Sequence, residues 1–202
     1  LLKTLGVDDF GIYNVVGSIV VLFSFLSTAM SSASQRFITY ELGSGDLQST
    51  NRVFCASFMA QMFIAVILIA VVEGFGLWFL NYRLNIPDGR MIAANWVFQF
   101  SVMAFAIHIL QVPYEAAVVA NEKMTFFAYA SIADSFMKLG LVFLLKVSGY
   151  DKLITYAVLI AVESFLMWLI YRIYCKRKFS ICDFHVVRDK SLFQRLFSFT
   201  GW

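Results

Sequence analysis

Asp134 and Lys138 stand four residues apart inside a long apolar run, acid first. On a helix that spacing puts both side chains on one face, and the acid-first order favours an ion pair. Phe127, Ala130, Ser131 and Leu141 share the face. Glu163 stands near the middle of the next apolar run, with no partner on its own helix. Ser101, Ala104, His108, Gln111 and Glu115 recur at helical spacing in the run before. Ionisable groups in a membrane are costly and usually face a bundle interior or a hydrated cavity. The chemistry they offer is binding. A lysine meets an anion as a point charge. Carboxyls such as Asp134 and Glu163 can take a coupling ion, a proton or sodium. His108 and Gln111 can hydrogen-bond a polar cargo. The structural alternatives stay open: Asp134 and Lys138 can simply neutralise each other, and His108 can be a satisfied buried histidine.

A second polar pattern lies earlier. Asn14, Gly17, Val21, Ser24, Thr28, Ser31 and Gln35 follow at intervals of 3 and 4, and Arg36 stands at the end. On one helix this makes a small, mostly polar stripe. It is either the wall of a cavity or a surface that lets neighbouring helices approach closely.

These residues need elements to hold them. The chain has 202 residues, 60% hydrophobic and 14% charged, with 22 phenylalanines and 2 prolines. Soluble domains carry about 25% charged residues. Composition rules out disorder, collagen, a coiled coil and a disulfide scaffold. The expected class is an all-α polytopic membrane protein. A span needs about 20 apolar residues. Five stretches qualify, at about 10–33, 53–80, 91–112, 125–147 and 153–174, the third with a possible continuation past Pro113 to Ala120. Counted at about 1.5 Å per residue, Asp134, Lys138 and Glu163 all fall near the midplane. Residues 175–194 form a basic polar loop, and 195–202 read as the start of another span. The opening on Leu1 and the apolar close are expected to mark a piece of a longer protein, cut at both ends.

Lys and Arg counts set the orientation. Ten of the 16 fall on the side of the 175–194 loop and five on the other, with Lys138 inside a span. The loop side is therefore expected to be cytoplasmic. The net charge of +3 comes largely from that loop and does not point to nucleic acid. Cys55, Cys175 and Cys182 form no C-x-x-C pair, so neither a zinc site nor a disulfide framework is expected. No nucleotide, metalloprotease or serine-hydrolase motif is present. The expectation is a protein without enzyme activity, cofactor or metal.

The stretch Leu5-Gly6-Val7-Asp8-Asp9-Phe10-Gly11-Ile12-Tyr13 resembles the L-G-x-x-x-[YF]-G-x-Y signature of polysaccharide flippases. These belong to the superfamily of multidrug, oligosaccharidyl-lipid and polysaccharide exporters. Ser32-Ala33-Ser34-Gln35-Arg36-Phe37 and Glu41-Leu42-Gly43-Ser44-Gly45-Asp46 look like that family's next cytoplasmic turn. Pro113-Tyr114-Glu115-Ala116, Ala120-Asn121-Glu122-Lys123-Met124 and Phe127-Ala128-Tyr129 look like the connection of its fourth and fifth helices in lipopolysaccharide and capsule exporters.

The resemblance implies a two-lobe transporter of 12–14 helices. Residues 1–174 would be its N-terminal six-helix bundle, with the first helix mostly missing. It implies a bacterial inner-membrane location and alternating access. The implied cargo is an oligosaccharide on an isoprenoid pyrophosphate, for O-antigen, capsule or lipopolysaccharide export. A polysaccharide polymerase and glycosyltransferases would be its working partners, and membrane lipids its surroundings. For such a cargo, Lys138 is the first candidate for the pyrophosphate and Arg36 for its entry. Asn14, Ser24, Thr28, Ser31, Gln35, His108 and Gln111 are candidates for the sugar. Two rivals remain: a cation-coupled multidrug antiporter of the same superfamily, and an integral-membrane transferase acting on the lipid-linked sugar.

Overall fold

The computed structural model describes residues 6–21, 24–82, 89–147 and 151–185. Among the described residues there are six helices and no strand. They are α1 (Val7–Val21), α2 (Ser24–Ser44), α3 (Leu47–Tyr82), α4 (Met91–Ala120), α5 (Met124–Val147) and α6 (Lys152–Lys178). A single 3-10 turn, Ser180–Cys182, follows.

Local chemistry sets the boundaries. Asp46 opens α3 by accepting from the Gln48 and Ser49 amides at 2.9 and 3.2 Å, as an N-cap does. Gly45 before it takes φ +79°, the left-handed conformation that glycine enters without strain. Asp151 caps α6 through the Leu153 amide at 3.0 Å. Lys176, Arg177 and Lys178 occupy the last turn of α6, where cations complement the helix dipole. Pro113 lies inside α4, and the helix continues through it to Ala120.

Four helices, α3 to α6, are long and apolar enough to cross a membrane. The stretches expected at 53–80, 91–112, 125–147 and 153–174 lie within them. The described parts of the expected span 10–33 lie in α1 and α2, with residues 22–23 outside the described residues. α2 is rich in serine and threonine and runs on to Ser44. The expected start of a further span at 195–202 lies outside the described residues.

α4 is the central helix, packed against α1, α2, α3, α5 and α6. At the Arg90 end the core holds Ile12, Leu80, Ala94, Val97, Phe98, Leu145 and Leu153. At the other end it holds Ile38, Phe54, Tyr114, Ala117, Met167, Tyr171 and Ile181. α5 lies at the edge. Its Phe136, Phe143 and Leu144 are exposed, as expected of a face turned to lipid or to another part of a larger protein.

Gly76 on α3 sits against the fully buried Phe98 ring of α4. A Cβ there would lie 2.5 Å from the ring's Cζ. Gly76→Val is therefore expected to lower stability by about 1–3 kcal/mol, the usual range for an overpacked core. Gly74→Val, with open space around it, serves as control and should stay within about 0.5 kcal/mol. Thermal unfolding of the full-length protein in detergent measures both. Equal stability of the two variants would show that Phe98 yields without cost.

Beyond α6 the chain turns back onto α3. Asn51 donates its side-chain amide to the carbonyls of Ile181 and Asp183, at 2.7 and 2.8 Å. Cys55 Sγ lies 3.4 Å from the Asp183 carbonyl and 3.6 Å from His185 Nδ1. Phe184 meets Phe58 edge to face. The Cys182 thiol hydrogen-bonds Cys175, and that bond together with burial pushes its pKa up. Cys182 therefore stays an unreactive thiol while the segment is docked. Asn51→Ala removes two hydrogen bonds, each contributing about 1 kcal/mol. Maleimide labelling of Cys182, followed by peptide mass spectrometry, is expected to quicken about thirtyfold. An unchanged rate would mean that the aromatic contact alone holds the segment.

Candidate functional site

The polar residues of α4, α5 and α6 meet in one cleft of about 200 Å³. α4 brings His108, Gln111 and Glu115 to it, each one helical turn from the next. α5 brings Phe127, Ser131, Asp134 and Lys138, spaced by 4, 3 and 4. α6 brings Glu163, Ser164, Met167 and Tyr171. Helical periodicity alone places each set on one face. The packing of α4 against α6, with α5 beside them, turns the three faces toward one another.

The contacts inside are specific. Lys138 Nζ donates to Asp134 Oδ2 at 2.8 Å. The carboxyls of Asp134 and Glu163 lie within interaction range of each other across α5 and α6. Two neighbouring carboxyls offer a place for a proton. Glu163 is 5% exposed, and its Oε1 has no hydrogen-bond partner. Gln111 donates Nε2 to Glu115 Oε1 at 2.6 Å. Ser131 Oγ donates to the Phe127 carbonyl of its own helix at 2.9 Å. Lys138 lies at the open margin with 60% of its side chain exposed, while Asp134 shows 29%. Three carboxyls thus face one lysine. The ensemble is suited to holding a proton or cation and to accepting hydrogen bonds from a polar ligand. Among the described residues no group of three or more His, Cys, Asp or Glu could hold a metal ion.

The sequence-derived candidates divide. His108, Gln111, Asp134, Lys138 and Glu163 come together in the cleft. Asn14, Thr28, Ser31, Gln35 and Arg36 do not line it. Asn14 spends its amide on the Phe10 carbonyl, at 2.7 Å. Thr28 and Arg36 are exposed and Ser31 and Gln35 half-buried on α2. The side chain of Ser24 is outside the described residues. Sequence reasoning passed over Ser164, Met167 and Tyr171. For two of them the signal was present: Met167 and Tyr171 follow Glu163 by 4 and 8 residues and so share its face, whereas Ser164, one residue on, is placed in the cleft only by the packing.

A separate ionic knot sits at the opposite end from the basic turn. Arg90 reaches Asp9 of α1 at 3.1 Å and Asp151 at the start of α6. It ties three elements at one point, well away from the cleft residues in sequence and along the helices.

No family model matches the chain. It is 23% identical over 117 residues to a protein of Bacillus subtilis (strain 168) described as the uncharacterized membrane protein EpsK. That match takes in 58% of this chain and 23% of the length of that protein. The chain thus spans about a quarter of the curated relative it matches. No solved structure matches.

Proposed function

We propose that this chain is part of one lobe of a bacterial inner-membrane transporter that moves an isoprenoid-pyrophosphate-linked oligosaccharide by alternating access. The observation that carries the reading is the cleft. Three membrane-length helices bring Asp134, Lys138 and Glu163 to one cleft, each near the middle of its helix, and ionisable groups within a span are costly unless used. The likeness to a membrane protein and the resemblance of the Leu5–Tyr13 and Pro113–Tyr129 stretches to polysaccharide flippases support it. In alternating access one lobe rocks against another around a fixed site, and a second lobe of 12–14 helices in total belongs to this reading. The exposed face of α5 is where that lobe would be met. The protein then needs no catalytic residue.

Coupling falls to Asp134 and Glu163. A proton shared between them is released when either is drawn to another partner. A sodium ion would compete for the same oxygens. Polymerase and glycosyltransferases stand on either side of the step, one consuming the cargo and the others building it.

The test is deletion of the full-length gene in its host and a measurement of lipid-linked intermediates by membrane side. Accumulation of isoprenoid-pyrophosphate oligosaccharide facing the cytoplasm, relieved by the full-length gene, is the expected result. Unchanged glycan and carrier pools would end the reading. One observation favours the antiporter of hydrophobic cations as a second reading: the cleft carries more acid than base, and its lysine is already paired. Raised sensitivity to cationic dyes in the deletion strain, with normal glycan, would select it.

A further inference from the structure

The charge of the cleft is lopsided. Glu115, Asp134 and Glu163 supply three carboxyls, and among the described residues the only lining group with a permanent positive charge, Lys138, is paired with Asp134 at 2.8 Å, while His108, Ser164 and Tyr171 add neutral polar groups. Gln111 turns its donor to Glu115. Among the lining residues the buried polar atom with no hydrogen-bond partner is an acceptor, Glu163 Oε1. A buried acceptor left unmet costs about 1–3 kcal/mol. It is met by an N–H or O–H, never by a phosphate oxygen. Phosphate entering the cleft would also face three carboxyls. A hydroxyl-rich ring meets the opposite conditions. It offers donors to the carboxyl oxygens, and its C–H face can lie on Tyr171 or Phe127, which line one end. About 200 Å³ is the share of roughly seven liquid waters at ~30 Å³ each, room for one such ring.

We propose that the cleft between α4, α5 and α6 is a sugar subsite, in which Glu163 Oε1 accepts a hydrogen bond from a ring hydroxyl, and that phosphate is kept outside it. This rests on the reading of the cargo as a lipid-linked glycan and deepens it. The pyrophosphate of such a cargo then lies beyond the mouth of the cleft, and the sugar enters first.

The experiment uses the full-length protein in lipid nanodiscs with Ser131→Cys as reporter, and Ser164→Cys as a second reporter should the first not fold. Maleimide labelling is timed with glucose, galactose, N-acetylglucosamine or inorganic pyrophosphate present. At least one sugar is expected to slow labelling about threefold at a concentration of twice its dissociation constant, and pyrophosphate is expected to leave the rate unchanged. Adding Glu163→Met to the reporter should abolish the protection. Protection by pyrophosphate, protection by no sugar, or protection that survives Glu163→Met would each overturn the proposal. The deletion experiment stands apart. If lipid-linked intermediates build up but no sugar protects, the flippase reading holds and the subsite falls. If a sugar protects but intermediates do not change, the subsite holds and the flippase reading falls.

Discussion

Lys138→Gln in the full-length protein is expected to cut translocation at least tenfold at normal membrane abundance, about 1.4 kcal/mol in the barrier. Among the described residues Lys138 is the only lysine or arginine lining the cleft, and it is paired with Asp134 at 2.8 Å. Its removal leaves Asp134 with Glu163 as its charged neighbour. Two neighbouring carboxyls then lack their cation, and the transport step that uses them slows. The effect on folding should be modest. The Lys138 side chain is 60% exposed, and exposed pairs contribute up to about 1 kcal/mol. The double variant Lys138→Gln/Asp134→Asn separates the two roles the pair can have. If the pair only neutralises itself, the double variant removes both charges and regains activity. If both residues serve transport, it stays at least as impaired as the single variant, which is the expected result. Translocation is read as clearance of cytoplasm-facing lipid-linked glycan, with protein abundance measured in the same membranes. Full activity in Lys138→Gln would end the assignment.

Arg90→Ala is expected to have the largest effect on stability, a loss of about 2 kcal/mol. Asp9 shows 8% of its side chain to solvent and Asp151 35%, while Arg90 shows 40%. Removing the partner of a fully buried charge costs about 3–5 kcal/mol, and exposed pairs contribute up to about 1 kcal/mol. The half-exposed arginine places this knot between the limits. Asp9 is the more buried of the two carboxylates that lose the arginine, and Asp151 keeps its role as the cap of α6 through Leu153. Arg90→Lys should recover less than half of the loss. A guanidinium can reach two carboxylates with separate nitrogens, as Arg90 does with Nη1 and Nη2, whereas an ammonium is a point charge. Unfolding temperature in detergent reads both variants. Equal stability of Arg90→Ala and the parent protein would show that the knot contributes nothing and that the apolar core beneath it carries that end.

How much of this was legible beforehand differs from element to element. α3 through α6 were plain, because about 20 apolar residues in a row admit few other structures. Asp134 and Lys138 could be paired from their spacing alone, since both sit on one helix. The stripe from Asn14 to Gln35 looked equally regular, yet Asn14, Thr28, Ser31 and Gln35 do not line the cleft. Regular spacing shows that a face exists, and only packing decides what that face meets. Glu163 shows the opposite case. Its partner on α5 is 29 residues away in the chain, beyond anything periodicity can reach.

The sequence by itself determined the class of the protein, its membrane helices and the polar face each carries. Those are local properties, set by composition and by a repeat of 3.6 residues. The tertiary structure alone decided which faces meet. It joined α4, α5 and α6 around one cleft, left the α2 residues outside it, and brought Asp9, Arg90 and Asp151 to one point. Such choices depend on helix packing between residues far apart in the chain, where each contact is weak and only the sum selects the arrangement.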